Sequence, residues 1–144
     1  QTTRFKSEVH KASLNILYTS WWLKTTMSKE LKSFGLTHEQ YNVMRILKGK
    51  APEMMCVKDI ASRMIERSSN VPRIIDRLVD KKFVKRQTDS KDKRHTVVQL
   101  TGSGRKILEK STSAIELVME KLLVVSEKEA TSLNSLLEKI RQKE

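Results

Sequence analysis

Two short stretches carry the side chains with usable chemistry. "SSNVPRIIDR" (68–77) places Ser68, Ser69 and Asn70 just ahead of Arg73 and Arg77, and "DSKDKR" (89–94) clusters Lys91, Lys93 and Arg94 with Asp89 and Asp92. Hydroxyl and amide groups bond base edges or phosphates, and an arginine can fork onto guanine. This is the chemistry of recognition and not of bond making. We find no Ser/His/Asp or Cys/His arrangement, no paired carboxylates with a plausible cleft and no phosphate-cradling glycine loop, so an enzyme is not expected. The three histidines, at 10, 38 and 95, lack ligand-like spacing, and the Glu8–His10 pair is a weak signal. Neither a metal nor a cofactor is expected.

The charge agrees with this chemistry. The 144 residues carry a formal charge of +12, and residues 57–106 hold 14 Lys and Arg against 6 Asp and Glu. Two thirds of the excess therefore sits in about a third of the chain. Such focused charge points to a polyanion, either nucleic acid or an anionic membrane. The membrane reading is weaker, because the cations gather in 81–94 (seven Lys and Arg against two Asp) instead of along one helix face. No run of about 18 apolar residues is present to span a bilayer, and no signal-peptide pattern is seen. The lone Cys56 excludes an intrachain disulfide and suits a reducing compartment. A cytoplasmic protein is expected.

The elements that must position these residues follow from periodicity and punctuation. Only two Pro and four Gly interrupt the chain, which favours long helices. Most apolar positions from Phe5 to Leu31 step by three or four, predicting a helix over 3–33 ended by Gly35. Thr37 with Gln40 reads as a capping box, with Leu36 and Tyr41 as its hydrophobic staple, ahead of a helix over about 38–48. A short helix over 58–65 follows. Ser68 or Ser69 caps the next, with Pro72 in its first turn and Val71, Ile74, Ile75, Leu78 and Val79 inward. "FVKRQT" (83–88) and residues 95–100 read as two strands of a hairpin. Thr101 caps a long helix, and Ser126 with Glu129 boxes a last one. Cys56 falls in a loop or short strand and reads as a small buried hydrophobe. A thiol sensor would need an electropositive, exposed setting, of which nearby Lys58 is the only hint.

Two short helices joined by a tight turn form a helix-turn-helix, whose second helix enters the major groove with its N-terminal part. A basic hairpin after that helix is a wing, and its tip can follow the neighbouring minor groove, where narrow grooves favour Arg. The expected fold is mainly α with a small two-stranded β wing: a winged helix-turn-helix lobe (35–102) flanked by long N- and C-terminal helices (1–34 and 103–144) in one compact chain. The terminal helices have more apolar surface than so small a lobe can cover. Phe5, Val9, Leu117, Leu122, Leu133, Leu136, Leu137 and Ile140 are candidates for an interchain bundle.

"RIIDRLVDKKFVKRQTDSKDKRHTVVQLTGSGRKIL" (73–108) resembles the core of the MarR (multiple-antibiotic-resistance regulator) family of winged helix-turn-helix transcription factors. The shared features are "DRL" on the recognition helix, "FVKR" on the strand, D-x-x-D-x-R in the wing and V-x-L-T-x-x-G leading into the next helix. The helix order is similar over essentially the whole chain. The resemblance implies a sequence-specific regulator of transcription, read as a repressor, acting as a homodimer on pseudo-palindromic double-stranded DNA. It implies a recognition helix over about 69–81 with Arg94 as the minor-groove residue. Asp92 would orient Arg94, and Asp89 would hold the wing base. Many members sense a small phenolic or aromatic effector between the dimer helices and the lobe. Tyr18, Trp21, Trp22, Tyr41 and Met44 are the candidate walls, although aromatic residues at helical spacing also serve as core. The peroxide-sensing cysteine that some relatives carry near the first helix is absent. The chain departs from the family at Lys82, where a glycine is usual between recognition helix and strand. A non-regulatory architectural nucleic-acid binder is the alternative reading.

Overall fold

At most of the helix starts a polar side chain accepts from one of the backbone amides that the first turn leaves open. In the computed structural model, which describes residues 5–65, 70–88 and 96–142, Ser7 caps α1 (Glu8–Lys32) by accepting from the His10 amide. The helix therefore begins at Glu8 and not at residue 3, because Ser7 is extended. Thr37 and Gln40 form the reciprocal capping box of α2 (His38–Lys50), and Ser126 with Glu129 forms that of α6 (Glu127–Arg141). Hydrogen bonds from the Ser126 hydroxyl and amide hold the Glu129 carboxyl below its usual pKa. Between these lie α3 (Val57–Arg63), α4 (Val71–Asp80) and α5 (Gly102–Leu122).

The sheet differs from the expected pair of strands. β2 (Val84–Thr88) and β3 (Thr96–Leu100) form the antiparallel hairpin, but β1 (Met55–Cys56) pairs with the other side of β3, giving the order β1-β3-β2. Val98 lies opposite both Met55 and Arg86. Two residues are too few to show a period, so only pairing reveals this strand. The addition makes β3 central and binds the wing to the segment ahead of the helix pair. Val84, Val97, Val98 and Leu100 are buried from the sheet. Of these, Val84, Val98 and Leu100 join Leu31 of α1, Val43, Met44 and Leu47 of α2, Ile60 of α3, Val71, Ile75 and Leu78 of α4, and Leu108 and Ile115 of α5 in one core. Each such side chain stabilises the fold by about 1.5–3 kcal/mol through burial. By contrast, α6 buries none of its residues.

Two of these helices end in the same way. α1 closes with Gly35 at φ 66, the Gly35 amide donating to the Lys32 carbonyl and the Leu36 amide to that of Leu31. α4 closes with Lys82 at φ 60, the Lys82 amide donating to the Val79 carbonyl (2.8 Å) and the Phe83 amide to that of Leu78 (2.9 Å). Both are Schellman motifs. The site of departure from the family's glycine thus keeps the left-handed turn and places a lysine in it. Its neighbours hold it there: Thr101 Oγ1 and Ser103 Oγ both donate to the Lys82 carbonyl, at 2.7 and 2.8 Å, and the Thr101 amide donates to that of Phe83 at 3.0 Å.

Gly104 completes the contact. A Cβ at this position would lie 1.9 Å from the Phe83 carbonyl oxygen, so the start of α5 approaches the turn more closely than any side chain allows. The glycine of the V-x-L-T-x-x-G pattern is needed for packing, since Gly102, two residues earlier, faces open space. Gly104→Ala is expected to cost about 3 kcal/mol or more from overpacking against a backbone atom, and Gly102→Ala to stay within about 0.5 kcal/mol; urea unfolding measures both. Lys82→Gly is expected to stabilise by about 0.5–1 kcal/mol, the relief of left-handed strain net of added chain entropy, read as a raised midpoint with unchanged slope.

Candidate nucleic-acid interface

The outward face of α4 is set by what its inward face buries. Val71, Ile75 and Leu78, spaced four and three, turn into the core, which leaves Asn70, Arg73 and Arg77 on a common exposed stripe at steps of three and four. Neither arginine has an ion-pair partner among the described residues. Residues 70–88 carry six Lys and Arg against two Asp, so this surface is strongly positive. The helix begins at Asn70, which is its N-cap without a side-chain capping bond. Ser68 and Ser69, expected as caps, lie outside the described residues, as do Asp89, Lys91, Asp92, Lys93 and Arg94 of the hairpin tip.

Three groups of side chains tie together the elements around the stripe, and none was legible as a contact in the sequence. Arg86 of β2 pairs with Asp76 of α4 and also donates to the Pro72 carbonyl (3.3 Å), tying the wing strand along α4. Asn42 of α2 accepts from the Ile65 amide (3.2 Å), which holds the start of the turn between α3 and α4. Buried Tyr41 joins α2 to α5 through a 3.1 Å bond to Thr112, and Arg45 donates to its hydroxyl. The "DRL" and "FVKR" motifs contained Asp76 and Arg86, but a helix-to-strand pair has no periodic signature.

The aromatic candidates fall into different surroundings. Tyr41 and Met44 are core residues of the lobe. Tyr18 and Trp21 are exposed on α1 with their rings 5.7 Å apart, while Trp22 is half-buried. The two tryptophans diverge as neighbours on a helix must. A single chain does not gather the five into one site. Cys56 is not a buried hydrophobe: it is half-buried at the end of β1, and its sulfur caps α3 by accepting from the Asp59 amide at 3.4 Å. Among the described residues no group of His, Cys, Asp and Glu could hold a metal ion, and no helix is long and apolar enough to cross a membrane.

A helix pair whose second member presents cations outward, followed by a hairpin packed back onto it, is a winged helix-turn-helix. Residues 36–96, from the α2 cap to the start of β3, match the MarR family. The S. aureus MepR–DNA complex is similar at 26% identity and a TM-score of 0.82, over 92% of this chain and 97% of that one. AbsC, a MarR family transcriptional regulator from Streptomyces coelicolor, shares the fold at 21% identity and a TM-score of 0.84, over 98% and 97%. The uncharacterised HTH-type transcriptional regulator YkoM of Bacillus subtilis is 32% identical over 82 residues, which are 57% of this chain. The match spans 52% of YkoM, about half of that relative's length.

Arg86→Met keeps an apolar stem but removes the guanidinium. It is expected to change global stability by under about 1 kcal/mol, as for other exposed ion pairs, while amide exchange over Val84–Thr88 quickens because the strand loses its tether to α4. Urea unfolding and hydrogen-exchange mass spectrometry read the two effects separately.

Proposed function

We propose that this protein is a sequence-specific double-stranded DNA-binding regulator of transcription, a repressor that binds a pseudo-palindromic operator as a homodimer in the cytoplasm. The observation that carries the reading is the exposed Asn70–Arg73–Arg77 stripe on α4, beside a basic hairpin. Arg and Asn are the side chains that fork onto guanine and adenine in the major groove. In this reading Ser68 and Ser69 join the stripe. Lys91, Lys93 and Arg94 reach the flanking backbone and minor groove, with Asp92 aiming Arg94. The relative solved with DNA has this fold.

The dimer is supported by what a single chain leaves uncovered. α6 has no buried residue, and Leu133, Leu136 and Ile140 are exposed on it, as are Phe5, Val9 and Leu117 at the chain's other ends of the same arm. Exposed apolar area of this extent marks an interaction surface. Segments 1–34 and 103–144 then form the dimerisation arm and 35–102 the reading lobe, with recognition helices about 34 Å apart on the DNA. A small aromatic or phenolic effector that releases the DNA would sit against Tyr18, Trp21 and Trp22 of α1, near the lobe residues Tyr41 and Met44.

Selection of bound duplexes from a random pool tests the reading: two inverted half-sites about one helical turn apart are expected. Equal affinity for scrambled duplex would make the protein an architectural binder. On the selected operator Arg94→Ala is expected to weaken binding about tenfold, the scale of one charge-assisted contact. Asp92→Ala is expected to weaken binding as well, although it makes the loop more positive. A gain in affinity for Asp92→Ala would show that charge, and not aim, governs the tip.

A further inference from the structure

Lys81 is one of seven cations between residues 81 and 94 and by position would be counted among the phosphate contacts. Its ammonium is engaged elsewhere. It donates to the carbonyl of Gly35 and, at 3.0 Å, to Oε1 of Gln40. Gln40 is 2% exposed, and the same oxygen accepts from the Thr37 amide at 3.2 Å. Gly35 is the left-handed residue that closes α1, so its carbonyl lies at a helix C-terminus, where partial negative charge favours a cation. Lys81 is itself the C-cap of α4. One side chain therefore joins the C-terminal ends of α1 and α4 and touches the cap of α2.

We propose that Lys81 is a positioning residue: it fixes the end of α4 to the α1–α2 corner, thereby setting the angle at which Asn70, Arg73 and Arg77 are presented, and does not itself contact DNA. The proposal rests on the DNA-binding reading above. Apolar contacts from Val71, Ile75 and Leu78 set the axis of α4 but tolerate small rotations. α4 has ten residues, a length of about 15 Å, so a swing of roughly 5° about its C-terminal end displaces the Arg73 end by about 1 Å. A charged hydrogen bond to two fixed acceptors resists that swing. The tie also makes the reading helix follow the end of α1, the helix proposed to belong to the dimer arm.

The salt dependence of binding separates this role from a phosphate contact. Each lost phosphate contact flattens the slope of log K against log salt by about 0.9. Lys81→Met should lower affinity for the selected operator about tenfold, leave that slope unchanged, and quicken amide exchange at Gly35 and Leu36 in the free protein. Gln40→Met, which alters no charge, should act in the same direction, and the double variant should be little worse than Lys81→Met alone, because coupled residues are not additive. A slope flattened by about 0.9 per protomer, unchanged affinity, or additive losses would each overturn the proposal. If the wild-type protein selects no duplex, the DNA-binding reading fails, and exchange at Gly35 and Leu36 alone then decides whether the tie exists.

Discussion

The left-handed turn at Lys82 is the constraint on which the winged helix-turn-helix depends. At this residue the chain leaves α4 and enters the wing, and three elements meet there. The hydroxyls of Thr101 and Ser103 at the start of α5 hold its carbonyl, and Gly104 lets α5 come against Phe83. Lys81, one residue earlier, is bound to the corner between α1 and α2. A non-glycine residue at positive φ costs roughly 1 kcal/mol, and a cost of that size persists where the surroundings over-determine the conformation. Here they do, with hydrogen bonds on one side and backbone contact on the other.

Around that turn the structure separates charge that points outward from charge spent on internal geometry. Asp76 and Arg86 neutralise each other across the helix–wing junction, and the Lys81 ammonium is taken up by a carbonyl and an amide oxygen. Arg73 and Arg77, on the stripe between, have no such ion-pair partner among the described residues. Exposed ion pairs add little to stability, so the value of the Asp76–Arg86 pair lies in fixing one element against another. The same division applies to apolar surface: the lobe is closed around Ile60, Ile75, Leu78 and Val98, while α6 contributes nothing to that core.

Much of this fold could be read from local rules, because its helices start and stop on local signals. The capping boxes at Thr37 and Ser126, the Thr101 cap and the stop at Gly35 all appear where spacing put them. The boundaries that moved did so by local chemistry as well: Ser7 delays α1, and Asn70 in place of an earlier serine is the cap residue of α4. Sequence alone leaves β1 open as a loop or short strand, because two residues have no period and only the pairing with β3 settles it. Cys56 was misread for the same reason, since its sulfur serves as the cap of a helix whose start depends on that strand.

The sequence by itself determined the order of elements, the inward stripe of α4 and therefore which of its residues face out, because a 3.6-residue period settles both faces at once. It also marked the wing and the V-x-L-T-x-x-G pattern. Only the tertiary structure decided why that last glycine is required and how a lysine can occupy the turn usually given to glycine. It alone showed that Arg86 is committed to Asp76 and Lys81 to Gly35 and Gln40. These are contacts between residues 10 to 46 positions apart. Their partners are chosen by how separate elements pack, and no property of either residue's own neighbourhood encodes that choice.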